Sequence, residues 1–150
     1  MEEDSFAFNE LTMVSEQFDS FFGVLNMLGY VIGFFSILVG GVSVANIMFV
    51  SVKERTSQIG VKKALGAKRS IILLEFLIEA IILCLLGGFF GLALVYFITK
   101  ILTVVLDFPM YIDMGNVLLG AGMSILIGVV AGFVPALTAS KLDPVEAMRK

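Results

Sequence analysis

Residues Phe21–Val52 read FFGVLNMLGYVIGFFSILVGGVSVANIMFVSV, and this uncharged run decides the fold. It fills most of a gap of 33 positions between Asp19 and Lys53 that contains no Asp, Glu, Lys or Arg. An α-helix rises about 1.5 Å per residue, so roughly 20 apolar residues cross the roughly 30 Å hydrocarbon core of a bilayer. The run therefore predicts a transmembrane helix with several turns to spare.

Two further uncharged segments are also long enough to span a membrane. Ala80–Thr99 has 20 residues, within a segment that begins near Ile71, and Met114–Ser140 has 27. Only 15% of the chain is charged and 59% is hydrophobic, against about 25% and about 45–50% in soluble domains. A soluble fold of 150 residues cannot bury three such segments, so we predict an all-α membrane protein. Its transmembrane helices are expected at about 27–52, 76–100 and 115–137.

The charges between these segments predict the orientation of the chain. The tail before the first span carries six acids and no base, whereas the loop at 53–70 carries six bases and one acid. The next loop has one base, Lys100, and two acids, Asp107 and Asp113. Cytoplasmic loops are enriched in Lys and Arg. We therefore expect a multi-pass protein of the cell (inner) membrane, with its N-terminus outside and its C-terminus in the cytoplasm.

The first helix is expected to extend beyond the bilayer. Before the uncharged run, Leu11, Val14 and Phe18 repeat the three- to four-residue spacing of an amphipathic helix. We interpret residues 1–23 as an extracytoplasmic tail and stalk helix that continues into the first span. The alternative is a separate interfacial helix followed by a shorter span.

A short cytoplasmic helix is expected at the other end of the chain. Asp143 suits the N-cap, Pro144 the first helical position and Glu146 the third. The sequence therefore predicts a helix over Pro144–Arg149.

The composition argues against several classes of catalytic and metal site. The chain has no His and a single Cys, Cys84, which argues against an internal disulfide, a zinc site and histidine catalysis. It lacks the Gly-x-x-x-x-Gly-Lys-Ser/Thr motif that binds ATP, and no nucleophile has a plausible base partner. We expect no enzymatic activity, no cofactor, no metal and no nucleic-acid partner.

Glycine pairs with four-residue spacing recur in the predicted spans. They are Gly29 and Gly33, Gly87 and Gly91, and Gly128 and Gly132. Such pairs allow helices to approach closely, which favours tight packing among the spans or between subunits.

The loop Val52–Arg69, VKERTSQIGVKKALGAKR, is the most informative segment for function. It favours a helix over Glu54–Leu65, and Gly66 suits the end of that helix. A short helix with apolar residues among cations either rests on an anionic lipid surface or docks into a cytoplasmic partner. Its composition leaves both alternatives open.

Glu75 and Glu79 interrupt an otherwise apolar second span and are candidates for pairing at the interface. They lie four residues apart on one face, near the positive end of the helix dipole. Either both mark the membrane boundary at headgroup level, or Glu79 pairs with a basic residue of the preceding loop.

Several short motifs fill and flank this loop. They are Asn46-Ile47-Met48, Glu54-Arg55-Thr56, IGVKKALGA at Ile59–Ala67, FLIEA at Phe76–Ala80, and Pro135-Ala136 followed by LDPVEAMR at Leu142–Arg149. Together they resemble the FtsX-like permease domain of ABC transporters, with MacB-type and LolC/LolE-type members the most similar. The likeness runs from about Val24 to Arg149, and we expect residues 24–150 to form this domain.

The resemblance implies a role for the loop. In that family the cytoplasmic segment is a coupling helix that sits in a groove of the ATPase subunit, and here it would lie at about 53–66. Gln58 departs from the family, where Glu is common, and lacks the charge for an ion pair to the ATPase. The implied contact residues are Glu54, Arg55, Ile59, Gly60, Lys63, Ala64, Gly66 and Ala67.

The resemblance also implies a function. The chain would be the transmembrane permease subunit of an ABC-type exporter or lipoprotein-releasing system, in which ATP binding moves the coupling helix and the stalk transmits that motion outward. The implied partners are an ABC ATPase subunit or domain that binds ATP and Mg²⁺, a second permease in a homo- or heterodimer, a periplasmic adaptor and membrane lipid.

Two other functions remain open from the sequence. One is an FtsX-like transmembrane signalling module that activates a cell-wall hydrolase without transport, and the other is a small membrane-anchored interaction protein that acts alone. Family permeases begin with a first membrane helix and a large extracytoplasmic domain. We therefore expect this chain to be the C-terminal portion of a longer permease.

Overall fold

The computed structural model describes residues 2–107 and 111–143, with side chains from residue 13 onward. The described chain contains four helices and no strand. They are α1 (Glu2–Glu54), α2 (Thr56–Ala64), α3 (Arg69–Leu106) and α4 (Met114–Lys141). Three segments, Met13–Glu54 of α1 and the whole of α3 and α4, are long and apolar enough to cross a membrane. The prediction of an all-helical protein with three helices long and apolar enough to span a membrane is confirmed for the described residues. The helix expected at Pro144–Arg149 lies outside them.

The chain divides into two compact units, residues 1–39 and residues 40–150. In the first unit, nearly all of the described side chains are exposed, including Phe22 and Phe35. Exposed aromatic and aliphatic side chains are expected where a helix faces lipid, because lipid imposes no penalty on apolar surface. The buried side chains of the described chain all belong to the second unit.

Within the second unit, α3 and α4 pack against each other along a row of small residues. The row recurs at every fourth position of α4: Gly120, Ser124, Gly128, Gly132, Ala136 and Ser140. A Cβ atom added at Gly128 would lie 2.8 Å from the Cα of Ile81, and one added at Gly132 would collide with the Cβ of Ala80. The backbones are therefore as close as glycine allows, the arrangement expected where small residues replace the hydrophobic effect as the basis of helix packing.

A small apolar core lies at the α2 end of this hairpin. Met48 and Val52 of α1, Ile59 of α2 and Ile72 of α3 all have less than 5% of their surface exposed. Phe76 and Ala80 of α3 and Ala136 and Ala139 of α4 complete the cluster. The core joins all four helices within residues 40–143, so it fixes where the loop after α1 lies.

The opposite end of the hairpin is closed by the connection between α3 and α4. Asp107 ends α3 with a left-handed backbone, at a φ of 50°. Asp113 caps α4, because its carboxylate accepts a hydrogen bond from the backbone N–H of Gly115 at 3.0 Å. Such a cap satisfies one of the N–H groups left unpaired at the start of a helix.

Candidate docking site on α2

A single residue, Arg55, separates α1 from α2. Its backbone lies at φ −96° and ψ 12°, which interrupts the helix without breaking its hydrogen-bond ladder, since the Arg55 N–H still reaches the Ser51 carbonyl at 3.0 Å. The Thr56 hydroxyl donates to the carbonyls of Val52 (3.0 Å) and Lys53 (2.8 Å). Carbonyls at a helix end need such partners, so Thr56 stabilises the join between the two helices. Thr56 is not among the site residues predicted from the sequence.

Only two residues of α2, Ile59 and Gly60, are buried. Ile59 is 3% exposed and belongs to the core with Val52 and Phe76. Both residues were predicted to contact an ATPase, but in the structure they are buried against the other helices of the chain. They therefore position α2 rather than forming part of its free surface.

Two ion pairs tie α2 and its N-terminal junction to α3. The guanidinium of Arg55 contacts both carboxylate oxygens of Glu79, at 3.2 Å and 3.3 Å. One turn earlier on α3, Glu75 accepts a hydrogen bond from Lys62 Nζ at 2.5 Å. Of the two interpretations left open for Glu79, the structure contains the one in which it pairs with a base of the loop.

A third contact ties α2 to the end of α4. Lys63 Nζ donates hydrogen bonds to the carbonyls of Ser140 (2.7 Å) and Leu142 (2.5 Å). A cation is favourable there, because the last carbonyls of a helix carry partial negative charge and lack intrahelical partners. Burial and the neighbouring Arg69 cation lower the pKa of Lys63, while Asp143 opposes that shift.

The end of α2 is set by Gly66, whose φ is +94°. The Gly66 N–H reaches the carbonyl of Lys63 and the Ala67 N–H reaches that of Lys62, both at 3.0 Å. This pair of hydrogen bonds is a Schellman motif, which requires the left-handed conformation that glycine adopts most readily. Ala67 then packs, half-buried, against the core.

The outward face of α2 carries exposed apolar residues. Val61 and Leu65, four residues apart, are 47% and 83% exposed. Ser57 and Gln58 are exposed beside them, as are Glu54, Ala64 and Gly66 from the predicted set. Val61 and Leu65 are not among the site residues predicted from the sequence. The signal that could have found them is the i, i+4 spacing of two apolar residues on a charged segment.

This arrangement is suited to recognition by another protein. In the described part of the chain, no group of His, Cys, Asp and Glu residues could hold a metal ion. What α2 presents is a rigidly held, short amphipathic helix whose inward side is fixed by Ile59, Lys62 and Lys63. A helix with such anchors can lie in a groove of another protein.

Comparison with known protein families gives a match over most of the chain. Residues 30–144 match the family described as FtsX-like permease C-terminal. The match covers α3, α4 and α2 completely, together with the C-terminal half of α1.

Several named relatives match nearly the whole chain. The chain is 43% identical over 148 residues to "Macrolide export ATP-binding/permease protein MacB" of Agrobacterium fabrum, covering 98% of the chain and 23% of that protein. It is also 43% identical over 145 residues to the protein of that name from Bdellovibrio bacteriovorus, covering 95% and 22%. A "Probable export ATP-binding/permease protein" of Pseudomonas fluorescens is 43% identical over 127 residues, covering 84% and 20%. The chain thus spans about a fifth of the length of these curated relatives.

Proposed function

The chain belongs to the FtsX-like permease C-terminal family, and from that membership we propose that it is the membrane-spanning part of an ABC-type exporter or lipoprotein-releasing system. In this proposal it couples ATP hydrolysis by a cytoplasmic ATPase to a conformational change on the outer side of the membrane. The observation that carries the proposal is the structure of α2, which is fixed to α3 and α4 on one side and presents Val61 and Leu65 on the other.

The proposal requires α2 to lie in the cytoplasm. The six bases of residues 53–70 support this orientation, because cytoplasmic loops of membrane proteins are rich in Lys and Arg. The N-terminus would then lie outside and the C-terminus inside. α2 would serve as the coupling helix of the domain formed by residues 24–150.

The partner we propose for α2 is the ATPase subunit or domain of an ABC assembly, which itself binds ATP and Mg²⁺. All three relatives described above carry "ATP-binding/permease" in their names, which supports a nucleotide-binding part in the same assembly. We propose that the contact is made by the exposed residues Val61 and Leu65 with Gln58 and Glu54. Ile59 and Gly60 lie inside and set the angle of the helix.

The contacts of α2 suggest how motion is transmitted. The ion pairs of Arg55 and Lys62 join α2 to α3, and Lys63 joins it to α4. A displacement of α2 would therefore move the α3–α4 hairpin with it. We propose that the stalk, residues 1–23 of α1, carries the same displacement to the outer side, since the 42-residue segment Met13–Glu54 is about twice the length that a bilayer requires.

We further propose that two permeases assemble with two ATPase units and, outside, with a periplasmic adaptor. The names of the relatives refer to export, which favours an exporter over the alternative of a signalling module that activates a cell-wall hydrolase. A chain that acts alone is the least supported alternative, because it leaves the exposed face of α2 without a partner.

The proposal is tested by charging the exposed face of α2. We expect Leu65→Asp to abolish co-purification of the cognate ABC ATPase with the permease and to remove its stimulation of ATP hydrolysis in proteoliposomes. The matched control is Val104→Asp, because Val104 is also 83% exposed but lies near the far end of α3. Unchanged binding and ATPase stimulation in Leu65→Asp, in a protein that still folds, would refute the proposed docking site.

A further inference from the structure

A groove with a mixed lining lies at the far end of the α3–α4 hairpin from α2. Its volume is about 510 Å³, which is within the range of small-molecule sites. The groove is lined by Phe89, Leu92, Tyr96 and Lys100 of α3, by Tyr111 of the connection, and by Val117 of α4. The docking site on α2 does not use any of these residues.

The lining changes in character along α3. Phe89 and Leu92 are apolar, whereas Tyr96 and Lys100 bring a phenol hydroxyl and an ammonium group. From Phe89 to Lys100 is 11 residues, or about 16 Å of helix, close to half of the roughly 30 Å hydrocarbon core. The groove therefore offers an apolar surface one leaflet deep with polar groups at one end. This arrangement of apolar and polar groups matches a phospholipid, in which an apolar acyl chain extends from a polar headgroup.

Lys100 is available to a ligand at this polar end. In the described part of the chain, its Nζ atom lies over the ring of Tyr96, 5.7 Å from the ring centroid. Lys side chains near a helix end extend their ammonium group toward the headgroup region while their methylenes stay in apolar surroundings. Tyr111, which is 87% exposed, adds a second phenol at the same end, where tyrosine is favoured by the membrane interface.

The charges around the groove select among phospholipids. The segment 100–113 has one cation, Lys100, and two carboxylates, Asp107 and Asp113. Asp113 stands in the chain between Ile112 and Met114, which both line the groove. A purely anionic headgroup would be attracted by Lys100 and repelled by the carboxylate of Asp113, which the Gly115 N–H holds at the start of α4. A headgroup that contains a phosphate and an ammonium matches both signs.

We propose that this groove binds one zwitterionic amino-phospholipid from the leaflet on the side of the α3–α4 connection. Lys100 contacts its phosphate, aided by the hydroxyls of Tyr96 and Tyr111, and one acyl chain lies along Phe89 and Leu92. Asp113, which adjoins the lining residues Ile112 and Met114 in the chain, supplies the negative charge for the ammonium group. The site requires only that the hairpin spans a membrane, and it does not depend on the docking of an ATPase at α2.

The test is native mass spectrometry of the full chain in detergent micelles, titrated with phosphatidylethanolamine. We expect one lipid to bind with preference over phosphatidylglycerol of the same acyl chains. Lys100→Gln should weaken this binding about tenfold, as expected when one charge-assisted hydrogen bond is lost. The control Lys141→Gln removes an equal charge from the other end of α4 and should leave it unchanged. Ala93→Phe, which keeps Lys100 but fills the groove, should also reduce binding.

Two competitors test whether the groove recognises both the phosphate and the acyl chain of the lipid. Diacylglycerol with the same acyl chains should not displace the lipid, because it lacks the phosphate, and inorganic phosphate should not displace it, because it lacks the acyl chain. Equal binding by wild type and Lys100→Gln would overturn the proposal, as would displacement by either competitor. Equal or tighter binding of phosphatidylglycerol would overturn the zwitterionic assignment. If Lys100→Gln does not fold, the same comparison is made with Tyr111→Phe, for which a several-fold loss is expected.

Discussion

The guanidinium of Arg55 contacts both carboxylate oxygens of Glu79, at 3.2 Å and 3.3 Å, across 24 residues of sequence. Arg55 is the one residue between α1 and α2, whereas Glu79 lies within α3. The pair therefore joins the end of the first span to the second at the base of the proposed coupling helix. Two parallel N–H···O contacts fix orientation as well as distance, which a lysine in place of Arg55 could not do.

We expect Arg55→Gln to lower the free energy of unfolding by about 1 kcal/mol, the upper end for ion pairs at this degree of exposure. The side chains of Arg55 and Glu79 are 48% and 31% exposed, so water screens part of their attraction. A double-mutant cycle with Glu79→Gln, measured by denaturant unfolding in micelles, isolates the coupling. Lys62→Gln is the matched control, because the Lys62–Glu75 pair has one contact and exposures of 49% and 44%. An equal or larger loss in that control would contradict the special role of the two-contact pair.

The backbone at Gly66 predicts a second effect on stability. At a φ of +94°, a residue with a Cβ atom is strained, so Gly66→Ala should cost about 1–2 kcal/mol. The substitution should also loosen the C-terminal end of α2, which hydrogen exchange at the Ala67 N–H would detect. Gly87→Ala is the control, because Gly87 lies inside α3 and an added Cβ meets nothing within 4 Å there. If Gly66→Ala and Gly87→Ala change the free energy of unfolding by the same amount, the positive φ of Gly66 does not contribute to stability.

The spans could be predicted from the sequence because their signal is local. An uncharged run of 20 or more residues has few structural solutions, and the charges beside it indicate orientation. The helix ends were less accurate. α3 runs from Arg69 to Leu106 and so extends beyond both ends of the span predicted at about 76–100, because its last turns carry apolar residues that do not signal an end. The loop helix predicted over Glu54–Leu65 corresponds to α2, which begins only at Thr56 and is separated from α1 by Arg55 alone.

The face that α2 presents could not be predicted, because Ile59, Val61 and Leu65 are all apolar and lie on one short helix. Only the packing of α3 and α4 decides that Ile59 turns inward and Leu65 outward. The glycine pairs illustrate the same limit. All three pairs have four-residue spacing. In the described chain, however, only at Gly128 and Gly132 among them would an added Cβ atom lie within 4 Å of another helix. The spacing of glycines shows where another helix can approach closely. Whether a helix packs there is known only from the structure.

The close contact at Gly128 predicts a large effect from one methyl group. A Cβ added there would lie 2.8 Å from the Cα of Ile81 and 3.2 Å from the Ala80 carbonyl, and backbone atoms cannot move aside as a flexible side chain does. We expect Gly128→Ala to lower the free energy of unfolding by about 1–3 kcal/mol. Gly122→Ala on the same helix, with nothing within 4 Å, should change it little. Thermal unfolding of both variants in micelles is the measurement, and similar melting temperatures would contradict close packing of α3 on α4.

The environment of Lys63 predicts a dependence of stability on pH. Burial, aided by the Arg69 cation, lowers the pKa of Lys63 in the folded chain below its ordinary value of 10.5. Between the folded pKa and 10.5 the unfolded chain binds more protons, so the free energy of unfolding should rise with pH across that window. Below the folded pKa, both states carry the charge and the contribution of Lys63 is constant. Lys63→Met should remove this part of the pH dependence.

The pKa itself is measured by NMR of ¹³C-dimethylated lysines, with the Lys63 signal assigned from its loss in Lys63→Arg. Arg69→Gln should raise the pKa of Lys63, because it removes a like charge, and Asp143→Asn should lower it further, because it removes an attractive one. A Lys63 signal that titrates at or above 10.5 would contradict the lowered pKa, because it would show that Asp143 and the hydrogen bonds to the carbonyls of Ser140 and Leu142 outweigh burial and the Arg69 cation.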